Sequence, residues 1–479
     1  MSFREGRLRR KMDRDAAEYI TSLPFDTEIY KEVILINAVH LKMLAKLGYI
    51  SKEDLVKGLN TLKEMLERPI NLDNPLLEDI HIVVEDYLSR QLPNAGLNLA
   101  LGKSRNDAVA TAIRMHVKEK IVEIVDEGIQ LIESLLRKAQ EEASTVFPVY
   151  THLQVAAPAT FGFIMSFYAS RMISALESLT HAYMSSDQCP LGAGAVCGSS
   201  IMLDREWMAS QLGFSYVLEN ALDASSSRDF LIDLLSAILK LALPITDMSE
   251  ELVLYSSGEY GLIVFPDEYS STSSIMPHKK NPVVAEIGRT KVSEIASEFL
   301  RIIMIMQRKV SGYVLDLQQI TPGVWRAINH LLFTLRIYKK MIPQISINKE
   351  RAYELCRPPV AMTELANYLT TSLRIPYRTA HKICGEATLL LIENKLTDEA
   401  FREVLKSHGV DASLTVQEVL SILEPKSVVS SYKTMGSANP YEVSRMISHM
   451  EEELEELKSW VKARKENLAS IDKLVFESF

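Results

Sequence analysis

The 479-residue chain carries a net charge of −9, with 47% hydrophobic and 24% charged residues. That size allows several domains around a large core, and the apolar share excludes a disordered chain. The acidic balance argues against nucleic-acid and anionic-membrane partners, which would need a basic face. No apolar run reaches the roughly 18 residues of a membrane span, because Lys240 interrupts the best stretch, Phe230–Ile245.

Four scattered cysteines, Cys189, Cys197, Cys356 and Cys384, form no CxxC pair and suit a reducing compartment. The opening MSFREGRLRR has no apolar stretch behind its charges, so a cytoplasmic protein without a secretory leader is expected.

In chain order, Glu32–Leu47 places Ile36, His40, Met43, Leu44 and Leu47 at helical spacings. In Glu78-Asp79-Ile80-His81, periodicity alone puts His81 on an exposed helix face. The Pro-, Gly- and Asn-rich stretch Leu92–Gly102 marks a boundary. Gly102-Lys103-Ser104-Arg105-Asn106-Asp107 then opens a helix, either as an ordinary start capped by Asn106 or Asp107, or as an anion-binding N-terminus. From Asp107 to Ala143 a stripe through Val109, Ile113, Val117, Ile121, Ile124, Ile132 and Leu135 predicts one helix far longer than usual.

Tyr150-Thr151-His152-Leu153-Gln154 holds a lone histidine of the kind more often buried and satisfied than catalytic. Gly192 and Gly194 fit tight packing better than a dinucleotide loop, since Gly198 falls a residue late and no βαβ pattern surrounds them. Phe230–Leu243 and Phe299–Met306 are apolar nearly all round and are expected to be buried on every side. Subunits sharing one bundle would achieve that.

Between them, Ser270–Pro282 strings hydroxyls, an imidazole, two ammonium groups and an amide before a helix. Its hydroxyl run and prolines predict a loop able to bind a carboxylate and present a proton-transfer group. Arg289–Val310 is helical, Cys356–Val360 with Pro358-Pro359 marks a second boundary, and Val443, Met446, Ile447, Met450, Leu454, Leu457 and Val461 make a last stripe. A mainly α protein follows, divided as 1–103, 104–356 and 357–479.

Ser270–Pro282 resembles the mobile loop of the fumarase/aspartase superfamily, commonly GSSxMPxKxNP, with Thr272 where Gly is common. The resemblance implies Ser273 as the base that takes a proton beside a carboxylate, and Lys279 and Asn281 as its carboxylate-holding neighbours. A serine oxygen serves as a base only where N–H donors and a cation surround it and water is excluded. YTHLQ with Pro158–Gly162 resembles a second family region, implying that Thr151 contacts a carboxylate and that His152 is the acid-side partner. The residues alone do not divide the two roles.

Gly102–Asp107 is similar to the GRSRND region of argininosuccinate lyases, implying Ser104, Arg105 and Asn106 as substrate contacts. Glu78–Glu85 resembles EDxHxxVE and implies His81; Tyr313–Gln318 resembles the region contacting the amino-acid half, implying Tyr313 and Gln318. Pro190–Ala195 resembles the family's PLGAGA, and Met435–Pro440 is similar to its C-terminal GGTAP. Asn37 and Thr321 depart from Ser and Lys, and His278 leans towards adenylosuccinate lyases.

The family fold is mainly α in three domains, a D2 homotetramer with a twenty-helix core and active sites shared between subunits. The implied reaction is cleavage of argininosuccinate into arginine and fumarate by anti β-elimination, needing no metal or organic cofactor. Another lyase of the superfamily and a non-catalytic crystallin-like protein are the alternatives.

Overall fold

The amphipathic stripes become long helices in the computed structural model, which describes residues 7, 10–71, 74–307 and 310–477. Most of the N-terminal run read as lacking a leader lies outside the described residues, as do residues 308–309 after the second apolar stretch. Helix α1 spans Tyr30–Lys46 and α2 spans Ile80–Gln91, with Asp79 accepting the Ile82 N–H as the N-cap of α2. The stripe from Asp107 is the 37-residue helix α3, Arg105–Glu141. Its cap is Ser104, not Asn106 or Asp107: Ser104 and Asp107 form a reciprocal capping box, which satisfies two end groups at once.

After α3, strands β1 (Val146–Thr151) and β2 (Gln154–Thr160) pair antiparallel and lead into α4, Phe161–Ser186. Helix α5 is Phe230–Ser256. The loop Ser270–Pro282 is not wholly irregular: β3 (Ser271–Thr272) pairs with β4 (Lys280–Asn281). Extended backbone on the two flanks meets in register, so main-chain hydrogen bonds override the weak strand preference of serine. Helices α6 (Val283–Met306), α7 (Thr321–Met341) and α8 (Pro440–Glu477) complete the long set.

Helices α3 to α7 pack side by side as a bundle, and α8 returns from the chain's end to lie along α3 and α4. Val443, Ile447, Met450, Leu454, Leu457 and Val461 of α8 join the large core. A second, smaller core gathers Ala361 to Val428 from short helices, including Leu365, Leu369, Ile383 and Phe401.

The two helices apolar all round are not buried on every side within one chain. Leu243 is 47% exposed, Leu300 63% and Met304 72%. These residues point outward from the bundle, uncovered by the other described residues. Among the described residues, no helix is long and apolar enough to cross a membrane.

Candidate active site

The candidate site begins where α3 starts. Gly102, at φ +73°, turns the chain so that Ser104 enters the cap geometry. A Cβ there would stand 3.1–3.3 Å from Leu203, Ile201 and Ser199. Ser104 spends its hydroxyl on the Asn106 N–H, and its own N–H goes to Asp107 Oδ1 at 2.9 Å. Asp107 Oδ2 accepts the N–H groups of Gly192 and Gly194, each at 2.9 Å. The two glycines therefore clamp a carboxylate rather than a nucleotide. Arg105 and Asn106 are left free of the cap to face a cleft.

That cleft, of about 110 Å³, is lined by His81, Arg105, Asn106, Tyr313, Gln318 and Thr321, together with Ser22, Asp26, Glu78, Asp79 and Arg228. Three segments far apart in sequence, around His81, Arg105 and Tyr313, thus converge on one cleft. Arg105 Nη1 donates to Asp79 Oδ2 at 2.7 Å and to Glu78 Oε2 at 3.1 Å. Gln318 Nε2 donates to the Ile20 carbonyl at 2.7 Å. Asn106 Nδ2 donates to the Ala195 carbonyl at 3.2 Å.

His81, expected on an exposed face, is 2% exposed. Its helix packs against α1 and against the short helix Pro93–Asn98, contacts that periodicity cannot register. Burial, with Lys103 adding, holds its pKa down to about 3, so the ring is neutral near pH 7. Among the described residues, neither ring nitrogen has a partner. A buried, unsatisfied imidazole on a cleft wall is costly unless a ligand supplies the hydrogen bond.

Ser22 and Asp26 were not singled out by sequence. Ser22 Oγ donates to Asp26 Oδ2 at 2.7 Å, and the Ile80 N–H reaches the same oxygen at 3.1 Å. Burial pushes the Asp26 carboxyl up to about 7 despite those two hydrogen bonds. The only sequence signal was a serine four residues before an aspartate in SLPFD, too common to mark a site. Asn37 is not at the cleft: it is fully buried and accepts Lys103 Nζ at 2.6 Å. Thr321 does line it.

The residues implied for bond cleavage stand elsewhere. Thr151, His152, Ser273, Lys279 and Asn281 do not line the cleft. His152 and Leu153 form the two-residue turn joining β1 and β2, exposed and both at positive φ, 53° and 58°. The left-handed region costs a non-glycine residue roughly 1–2 kcal/mol, so strain is held at the imidazole-bearing turn. The reading of His152 as a buried, satisfied histidine therefore fails.

Ser273 lies in the β3–β4 loop, where its Oγ accepts the N–H groups of Met276 at 3.1 Å and Ile275 at 3.4 Å. Those donors favour negative charge on that oxygen. Lys279 is exposed, and Asn281 Nδ2 reaches Ser271 Oγ at 3.5 Å.

A larger groove of about 370 Å³ runs between α1, α3 and α8 past Lys118 and Lys465. It holds none of the residues singled out by sequence. Its lysines are already paired, Lys31 with Asp472, Lys118 with Asp187 and Lys465 with Asp126. The smaller cleft is therefore the candidate site. Among the described residues, no group of three or more His, Cys, Asp or Glu side chains is arranged to hold a metal ion.

Comparison with known proteins identifies the family. A family model described as lyase matches residues 6–296, and one described as argininosuccinate lyase C-terminal matches residues 360–430, the span of the small core. The argininosuccinate lyase of Methanococcus aeolicus is 38% identical over 451 residues, covering 93% of this chain and 92% of that protein. That of Methanothermobacter thermautotrophicus is 37% identical, covering 97% of this chain and all of its own length (100%).

Among solved structures, an EDDS lyase in complex with formate superposes with a TM-score of 0.86 at 22% identity, covering 94% of this chain and 91% of its own. A class II fumarase from Schistosoma mansoni gives 0.72 at 19%, covering 88% and 95%. At those identities the structures report the fold alone.

Proposed function

The chain belongs to the argininosuccinate lyase family and is a lyase, and from that premise we propose that it splits argininosuccinate into arginine and fumarate, a step of arginine biosynthesis, in the cytoplasm. The observation that carries the reading is the convergence of His81, Arg105, Asn106, Tyr313 and Gln318 on one cleft.

In this reading the cleft holds the amino-acid half. Its polar walls offer a neutral imidazole, amides, a phenol and carboxylates, suited to groups of both signs. Ser273 removes the proton from the succinyl carbon beside a carboxylate, and Lys279, Asn281 and Thr151 hold that carboxylate as charge builds on it. The electron pair becomes the new double bond while the carbon–nitrogen bond breaks, and His152 supplies the proton that the departing guanidino nitrogen takes. The two N–H groups on Ser273 Oγ support this role.

Because the cleft and the cleavage residues are apart in one chain, we assign the complete site to an oligomer, a homotetramer, in which neighbours bring the His152 turn and the Ser273 loop to the cleft. The outward apolar residues of α5 and α6 support such an assembly, since faces of this kind mark contact surfaces.

The test is fumarate release, followed by ultraviolet absorbance, from argininosuccinate and from adenylosuccinate. Cleavage of argininosuccinate that Ser273→Ala abolishes supports the reading. Cleavage of adenylosuccinate alone overturns the substrate, and undiminished turnover by Ser273→Ala overturns the base.

A further inference from the structure

Lys103 has no place in the chemistry above, yet it is among the most enclosed cations in the chain. Its side chain is 3% exposed, and Nζ donates to Asn37 Oδ1 at 2.6 Å and Glu85 Oε1 at 3.0 Å. The Glu85 side chain is itself 10% exposed. Three elements meet at that one ammonium: α1 through Asn37, α2 through Glu85, and the entry to α3 through Lys103 itself.

None of these three residues lines the cleft, but Glu85 and Lys103 each stand close in sequence to residues that do. Glu85 stands four residues after His81 on α2, so the two share a helix face. Lys103 stands two residues before Arg105 and three before Asn106. The nearby His40 is buried with its pKa lowered to about 3, by burial and then by Lys103, so it adds no competing charge near neutral pH. On the far side of the α3 start, Asp107 ties the same turn to Gly192 and Gly194. The start of α3 is thus held between a buried cation on one side and a buried carboxylate on the other.

We infer that Lys103 is a positioning residue for substrate recognition: through Glu85 and Asn37 it fixes the His81 wall of the cleft relative to the Arg105–Asn106 wall. The inference rests on the proposed function for its substrate. Its physical basis is that recognition across a cleft depends on sub-ångström spacing, and a displacement of about 1 Å can cost about 100-fold in rate. An ion pair buried this deeply adds little net stability compared with an apolar replacement, but it does hold its partners in one register.

Removing only Lys103 would strand a buried Glu85, so the informative variant is Lys103→Met with Glu85→Gln, which removes both charges together. Its expected behaviour is a cooperative melt close to that of the unaltered protein, a KM for argininosuccinate raised at least about 10-fold, and a kcat changed far less. Lys103→Arg, which keeps the cation and the donors, is expected to hold KM within a few-fold of the unaltered value. A second readout needs no substrate: His81, shielded in the native chain, becomes reactive to diethyl pyrocarbonate in the double variant, scored by peptide mass spectrometry.

Should the double variant fail to fold, Glu85→Asp keeps the charge but withdraws the carboxylate by one methylene, and the same rises in KM and His81 reactivity are expected. A folded variant with KM and His81 shielding both unchanged overturns the inference. Absence of argininosuccinate cleavage by the unaltered protein overturns the proposed function instead, and His81 reactivity then decides the positioning role alone.

Discussion

Asp107 offers a sharp test of how the cleft is built, because one fully buried carboxylate accepts three backbone N–H groups, from Ser104, Gly192 and Gly194, each at 2.9 Å. Burial raises its pKa to about 6 against those hydrogen bonds, so the acceptor is ionised at pH 8. Asp107→Asn keeps the size but leaves one acceptor oxygen and adds an NH2 group. If the oxygen stays with the glycine pair, the amide nitrogen faces the Ser104 N–H and that buried donor goes unpaired. Losing charge-assisted hydrogen bonds at about 1.5–3 kcal/mol each, and stranding a donor at about 1–3 kcal/mol, gives a net loss of about 2–4 kcal/mol once the surviving bonds are counted.

Asp107→Ala strands all three donors and should lose more. For a chain of this length the asparagine variant should melt several degrees lower, with alanine lower still. Hydrogen exchange should rise in the peptide containing Gly192 and Gly194, and KM should increase as Arg105 and Asn106 lose their footing. Unchanged melting and unchanged exchange in Asp107→Ala would refute the reasoning.

Asp26, lifted from 3.8 to about 7, binds its proton more tightly folded than unfolded. Its stabilising contribution is therefore complete below pH 3.8 and lost as pH rises through about 7, a difference of about 4 kcal/mol. Asp26→Asn should match the native chain in melting at pH 4 and exceed it at pH 8, while cleaving argininosuccinate less well; a stability gap independent of pH would contradict this. Gln318→Ala removes a cleft side chain and its bond to the Ile20 carbonyl, so KM should rise about 10-fold with a smaller effect on kcat, in steady-state fumarate assays. Placing a charge on the outward face with Leu300→Glu and Met304→Glu should split the proposed homotetramer, read by sedimentation, and abolish activity with it.

The long helices were legible because their information is local. The stripe from Asp107 forms α3 and the one from Val443 forms α8, each within a few residues of the sequence reading. What periodicity did not reveal is which neighbour covers each face. It exposed His81, which tertiary packing buries, and buried Leu300 and Met304, which one chain leaves outside.

The His152 turn was illegible for a different reason. Tight two-residue turns usually announce themselves by glycine or asparagine, and here histidine and leucine adopt the left-handed conformation instead. Ser22 and Asp26 lay hidden because their relation to Glu78 and His81 exists only in space. The motif-bearing residues Arg105, Asn106, Tyr313 and Gln318 were readable as a set, and the structure added their common cleft.

Mixing two inactive variants tests most directly whether the site is assembled from different chains. Arg105→Leu damages the cleft and Ser273→Ala damages the loop; each alone should be nearly inactive. After joint unfolding and refolding at equal amounts, sites that draw cleft and loop from different subunits should regain roughly a quarter of native activity, the fraction expected from random assembly. Mixtures as inactive as the separate variants would contradict the account.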